Sequence, residues 1–106
     1  MKYITLLYAA EGQSPEYGSP EWEPFMARWN KFHGILAENG IEFSGEPLQD
    51  SSTATRVRVR NDKTETMDGP FAETKEQLGG FYVLDCKDLD EAIKYAAMIP
   101  VAEYGT

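Results

Sequence analysis

The sequence predicts a single α+β domain of βαββαβ order, with both helices on one face of a mostly antiparallel sheet and an extra hairpin within the order. Three observations carry this. Two runs rich in apolar and β-branched residues, Lys2–Tyr8 and Leu78–Cys86, read as strands. Each is followed, after a break, by apolar residues at helical spacing. Between the two halves lies a strictly alternating stretch, Thr55–Arg60, ending in the turn chemistry of Asn61-Asp62.

The elements follow in order. In Lys2–Tyr8, Ile4, Leu6 and Tyr8 share one face and Tyr3, Thr5 and Leu7 the other. Both faces are largely apolar, which predicts a central strand covered on both sides. Glu11–Pro20 carries Gly12, Pro15, Gly18 and Pro20 and is a loop. A helix follows, capped near Ser19-Pro20 or beginning near Glu23 with Pro24 in its first turn. Phe25, Trp29, Phe32 and Leu36 form its apolar face, and Asn39-Gly40 ends it in a left-handed cap.

Ile41–Gly45 is a short strand, and Glu46–Ala54 is a polar connection. In Thr55–Arg60, Val57 and Val59 share one face and Arg56, Arg58 and Arg60 the other; Thr64–Met67 returns. Asp68–Gly80 is irregular. In Leu78–Cys86, a second central strand, Phe81 and Val83 face one way and Tyr82, Leu84 and Cys86 the other. Asp88 caps the last helix with Glu91 completing a capping box. Leu89, Ala92, Ile93 and Ala96 are expected on its inner face, and Pro100 stops it.

This is the split βαβ arrangement without its final strand, which would pair with the first. An apolar first strand left as an open edge is an aggregation hazard. The expectation is that the natural chain runs on past Thr106 or that a partner fills the edge.

With 106 residues there is room for one domain spanning 1–106, and 42% hydrophobic content suffices for a core. Ten basic against eighteen acidic residues give a net charge of −8. That excludes a general nucleic-acid surface and disfavours an anionic membrane, so neither is expected as a partner. One cysteine, Cys86, precludes an intrachain disulfide, and its strand position makes it a core residue. The N-terminal apolar run is too short for a leader or a span, so the cytoplasm is the expected compartment. No metal-ligand spacing, phosphate loop or nucleophile elbow is visible, and no cofactor is expected.

Residues 68–82, Asp-Gly-Pro-Phe-Ala-Glu-Thr-Lys-Glu-Gln-Leu-Gly-Gly-Phe-Tyr, closely resemble the signature of the DGPF-domain group within the YCII-related family. The likeness extends to the first strand, the Gly40 helix end, the Thr53–Arg60 strand and the Asp88–Pro100 helix, and so to nearly the whole chain. It implies a ferredoxin-like fold that dimerises sheet to sheet, as in the dimeric α/β-barrel superfamily, and therefore a homodimer. It implies no reaction. Genes of the group often lie beside sigma-factor genes, which points toward regulation. Some YCII-related members resemble enzymes with a His–Asp pair. Those positions fall at Trp29 and Ile99 here, so the pair is not carried over; His33 lies one turn later.

Two readings are open for Asp68: a turn cap within Asp68-Gly69-Pro70-Phe71, or a general acid/base at a cleft. Glu73 and Lys75 either solvate a turn or sit over a pocket mouth. Arg56, Arg58 and Arg60 either form a solvated face paired with Glu65 or hold a carboxylate or phosphate. His33, the only histidine, is either a packed side chain or a catalyst. The leading functional expectation is a dimeric binding module for a small acidic or aromatic metabolite, with Arg56, Arg58, Asp68, Glu73 and Lys75 lining its site. The alternatives are an acid–base enzyme of isomerase or hydrolase type using Asp68 or His33, and a regulatory protein-interaction subunit.

Overall fold

The computed structural model describes residues 1–69 and 76–106. Its elements run β1 (Lys2–Ala9), α1 (Trp22–Glu38), β2 (Phe43–Pro47), β3 (Thr55–Arg60), β4 (Lys63–Asp68), β5 (Gln77–Asp85) and α2 (Leu89–Ala96). Short 3₁₀ turns at Ser51–Thr53 and Pro100–Glu103 join them. The fold is ferredoxin-like α+β. One sheet has the order β1-β5-β2, and β3 pairs with β4 in a second. All pairings are antiparallel.

β5 is the central strand. It pairs with β1 from Lys2↔Asp85 to Ala9↔Gln77 and with β2 from Phe43↔Leu84 to Pro47↔Gly80. Strand alternation puts Leu7, Leu84 and Cys86 on the helix side, where they join Phe32, Leu36, Ile41, Ala92, Tyr95, Ile99 and Val101 in the core. β1 is the edge strand that an order without a final strand implies, but it is not covered on both sides as its apolar pattern suggests. Only its Tyr3–Leu7 face is covered. On its other face Ile4 and Leu6 are 63% and 48% exposed. Thr106 exchanges both backbone hydrogen bonds with Tyr8, at 2.7 and 2.8 Å, on the side of β1 away from β5.

α1 forms as its pattern dictates. Pro24 sits in the first turn, where its missing N–H costs nothing. The cap position is Glu21 rather than Ser19, and no side chain caps it. At the other end Gly40 has φ 69°, its N–H donates to Ala37 O, and the Ile41 N–H donates to Leu36 O. This paired pattern closes the helix and starts the turn into β2.

α2 is rotated from its expected orientation. Ala92 and Tyr95 are buried, whereas Leu89 and Ile93 are 58% and 56% exposed. Tyr95 lies three residues after Ala92 and reaches further into the core than Ile93 does, so the helix turns to bury the ring. Asp88 accepts from the Glu91 N–H at 2.9 Å as expected. The return bond departs from a strict capping box, because Glu91 Oε1 accepts from the Lys87 N–H instead. No helix among the described residues is long and apolar enough to cross a membrane.

The β3–β4 hairpin projects from this core. The radius of gyration is 16.4 Å, where a compact chain of this length has about 13 Å. Nearly every residue of both its strands is exposed.

The rotation of α2 is directly testable. Tyr95→Ala is expected to lower the unfolding free energy by about 3 kcal/mol, as for other buried aromatic truncations. Ile93→Ala, on the exposed side, should change it by less than about 0.5 kcal/mol. Urea denaturation of both variants measures this, and the reverse ranking would restore the orientation expected from sequence. Asp88→Ala should cost about 1 kcal/mol through the lost cap, read in the same experiment.

Candidate functional site

Two clusters of polar and aromatic side chains stand out. The first is on the hairpin. Asn61 and Asp62 adopt φ of 52° and 63°, the paired left-handed angles of a tight two-residue hairpin turn. This turn sets the register Arg56↔Met67, Arg58↔Glu65 and Arg60↔Lys63. The three arginines therefore share one face, and Arg58 stands across from Glu65. Arg56, Arg58, Glu65, Thr66 and Met67 line a shallow hollow of about 140 Å³ there. A guanidinium fork at such a place can bind a carboxylate or phosphate through two parallel hydrogen bonds.

Asp68 is on the opposite side of the same hairpin. It pairs with Thr55 in the register, on the face of Val57 and Val59, and the Thr55 hydroxyl donates to its carboxylate at 3.0 Å. The structure thus brings Arg56 and Arg58 together but does not bring Asp68 onto their face. The Gly69 N–H donates to Ala54 O at 2.6 Å and closes the base of the hairpin. Glu73 and Lys75 lie outside the described residues.

The second cluster lies between α1, β2 and β5. Trp29 and His33 are one turn apart on α1 and both meet Tyr82 of β5. His33 Nε2 is 2.7 Å from the Tyr82 hydroxyl. The Trp29 ring stacks on Tyr82, the Phe32 ring meets Tyr82 edge-on, and Phe43 stacks on His33. Gly45 makes this possible. It is the β2 partner of Tyr82, and a Cβ there would lie 2.9 Å from the Tyr82 ring and within contact of the Phe81 carbonyl. The Trp29 indole N–H is buried with no hydrogen-bond partner among the described residues. Histidine and tyrosine in direct contact can pass a proton, and the surrounding rings leave both half-buried.

Sequence reasoning placed His33 beside the apolar stripe but did not find Tyr82 as its partner. The available signal was the four-residue spacing of Trp29 and His33, which puts both on the side of α1 that faces the sheet. Cys86 is buried in the core. Burial first, then the nearby carboxylates of Glu91, Asp85 and Asp88, pushes its thiol up, so it is a poor nucleophile.

Burial also pushes the Tyr82 phenol above its ordinary value. The folded state then holds this proton more tightly than the unfolded chain does. Its contribution to stability is complete below about pH 10, the unfolded value, and is lost as pH rises through the folded value. Burial pushes the Tyr104 phenol up as well, so alkaline absorbance titration of the native protein should show late-ionising tyrosines, and Tyr82→Phe should reduce that component without abolishing it. An undiminished late component, with the loss confined to the ordinary tyrosines, would place Tyr82 in ordinary solvent.

The profile of the YCII-related domain matches residues 1–106. An uncharacterized protein of Rhizobium meliloti (strain 1021) is 38% identical over 96 residues, which cover 91% of this chain and 77% of that protein. With its full length matched, the chain belongs to the YCII-related domain family.

Proposed function

We propose that the protein is a homodimeric binding module for a small acidic or aromatic metabolite. The metabolite is held between the helix-free sheet faces of two copies, and hairpin arginines contact its anionic group. The observation that carries this reading is the uncovered apolar centre on the face of the β1-β5-β2 sheet away from the helices, flanked by Lys2, Asp85, Ser44 and Glu46. Ile4 and Leu6 are exposed there beside half-buried Phe81 and Val83. Leaving such surface in water forgoes about 25 cal/mol for each Å². A second copy offers the same face about a two-fold axis, and a stable interface needs about 800 Å² from each partner.

The hairpin supports the same reading. A two-stranded hairpin is marginal alone in water. Val57 and Val59 are each 61% exposed, and a second chain would give them a packing surface. In the proposed dimer the arginine face, opposite the valines, meets the anionic group, which is held more strongly where it is partly desolvated. A second reading, an acid–base enzyme, is favoured by one specific observation, the 2.7 Å contact of His33 with Tyr82.

Native mass spectrometry of gently purified protein is expected to show a dimer carrying a discrete non-protein mass. Ile4→Lys should convert it to a monomer, because a charge on the sheet face cannot be buried unpaired. A wild-type monomer at micromolar concentration would remove the cavity. Succinate at low salt should raise Tm by several degrees in the wild type, and Arg58→Gln should abolish most of that shift. An unshifted wild-type dimer would remove the anion site but keep the interface.

A further inference from the structure

On the helix side of the molecule, away from the uncovered sheet face and the hairpin, α1 meets the 3₁₀ turn Pro100–Glu103. A hollow of about 270 Å³ opens between them, lined by Arg28, Lys31, Phe32, Ile35, Met98, Pro100 and Glu103. Phe32 and Pro100 are buried, Ile35 is half-buried, and Met98 is exposed. These four give the hollow its apolar part. Arg28 and Lys31 stand three residues apart on one face of α1, close enough to reach a single small anion.

The two cations differ in what they hold. Arg28 Nη2 donates to the Glu103 carboxylate. The Lys31 ammonium has no ion-pair partner among the described residues. In a chain of net charge −8, two cations beside an apolar hollow are a local reversal of sign. The side chains of Arg28 and Glu103 are 45% and 71% exposed, so their ion pair contributes little and exchanges readily for another carboxylate.

We infer that this hollow binds a small monocarboxylate with a flat apolar body, an aryl acid. The ring rests on Phe32, Ile35 and Met98, and the carboxylate takes Lys31 and displaces Glu103 from Arg28. Glu103 is thus an internal competitor that occupies the arginine until a ligand arrives. The volume lies below the roughly 300–1,000 Å³ of pockets for drug-sized ligands, which restricts the occupant to about one ring. The nearby Glu103 carboxylate disfavours dianions such as phosphate esters. The inference does not depend on the dimer, since its residues lie on the helix side of the sheet.

Titration of the ¹⁵N-labelled full chain with phenylacetate tests it, with phenylacetamide as the uncharged control. Saturable shifts are expected in the amides of α1 and of residues 98–104, with a millimolar dissociation constant. Phenylacetamide, and phenylacetate with Lys31→Gln, should each bind about fivefold more weakly, the worth of one exposed ion pair. Glu103→Gln should bind phenylacetate about two- to fivefold more tightly because it releases Arg28. A merely structural Arg28–Glu103 pair would leave affinity unchanged or lower it. Shifts confined to the hairpin, equal binding of acid and amide, or undiminished affinity in Lys31→Gln would each overturn the assignment.

Discussion

The hydrogen bonding of β5 to a neighbour on each side is the constraint on which the other features depend. Its ladder with β1 and β2 sets the register of the whole sheet. Once that register is set, strand alternation has no freedom left. Leu84, fully buried, must face the helices, with Tyr82 and Cys86 beside it, and Phe81 and Val83 must face the other way. A one-residue slip would put Leu84 in water and Phe81 in the core. The helices then pack on the face that carries Leu7, Leu84 and Cys86. The His33–Tyr82 contact is a by-product of the same register, because Gly45 stands opposite Tyr82 and leaves room for its ring.

The register also explains why burial is uneven. Two helices can cover one face of a three-stranded sheet, and both are on the same side. The opposite face keeps Ile4 and Leu6 exposed, and the hairpin carries valines on one side and arginines on the other. In a small domain the surface-to-volume ratio already limits the core, so uncovered apolar surface is a large fraction of what could be buried. This imbalance motivates the dimeric binding module proposed above.

Charge is distributed on the same pattern. The chain is acidic as a whole, yet it gathers arginines on β3 and pairs Arg28 with Lys31 on α1. The two groups lie on different elements. The arginines of β3 are presented by an exposed hairpin and suit an anion enclosed by a second surface. The α1 pair borders an apolar hollow within one chain and suits a single carboxylate attached to a ring.

Several features were legible in the residues because the signals that set them are local. The α1 stripe at Phe32 and Leu36, the left-handed Gly40, the Thr55–Arg60 alternation around Asn61-Asp62 and the Asp88 cap each depend on neighbours within a few positions. The opposition of Asp68 to the arginines was also contained in the hairpin, since parity from a two-residue turn determines it. The rotation of α2 was not legible. Its eight residues carry apolar side chains on more than one face, and only packing into the shared core chose Tyr95 over Ile93. Nor was the His33–Tyr82 contact, which joins residues 49 apart, or the hollow where α1 meets the turn after α2. The sequence by itself determined which segments are helices and strands, how they end and which family the chain resembles. The tertiary structure alone decided which faces stay uncovered and which distant side chains meet, because those follow from the shared register and packing of elements that no local pattern encodes.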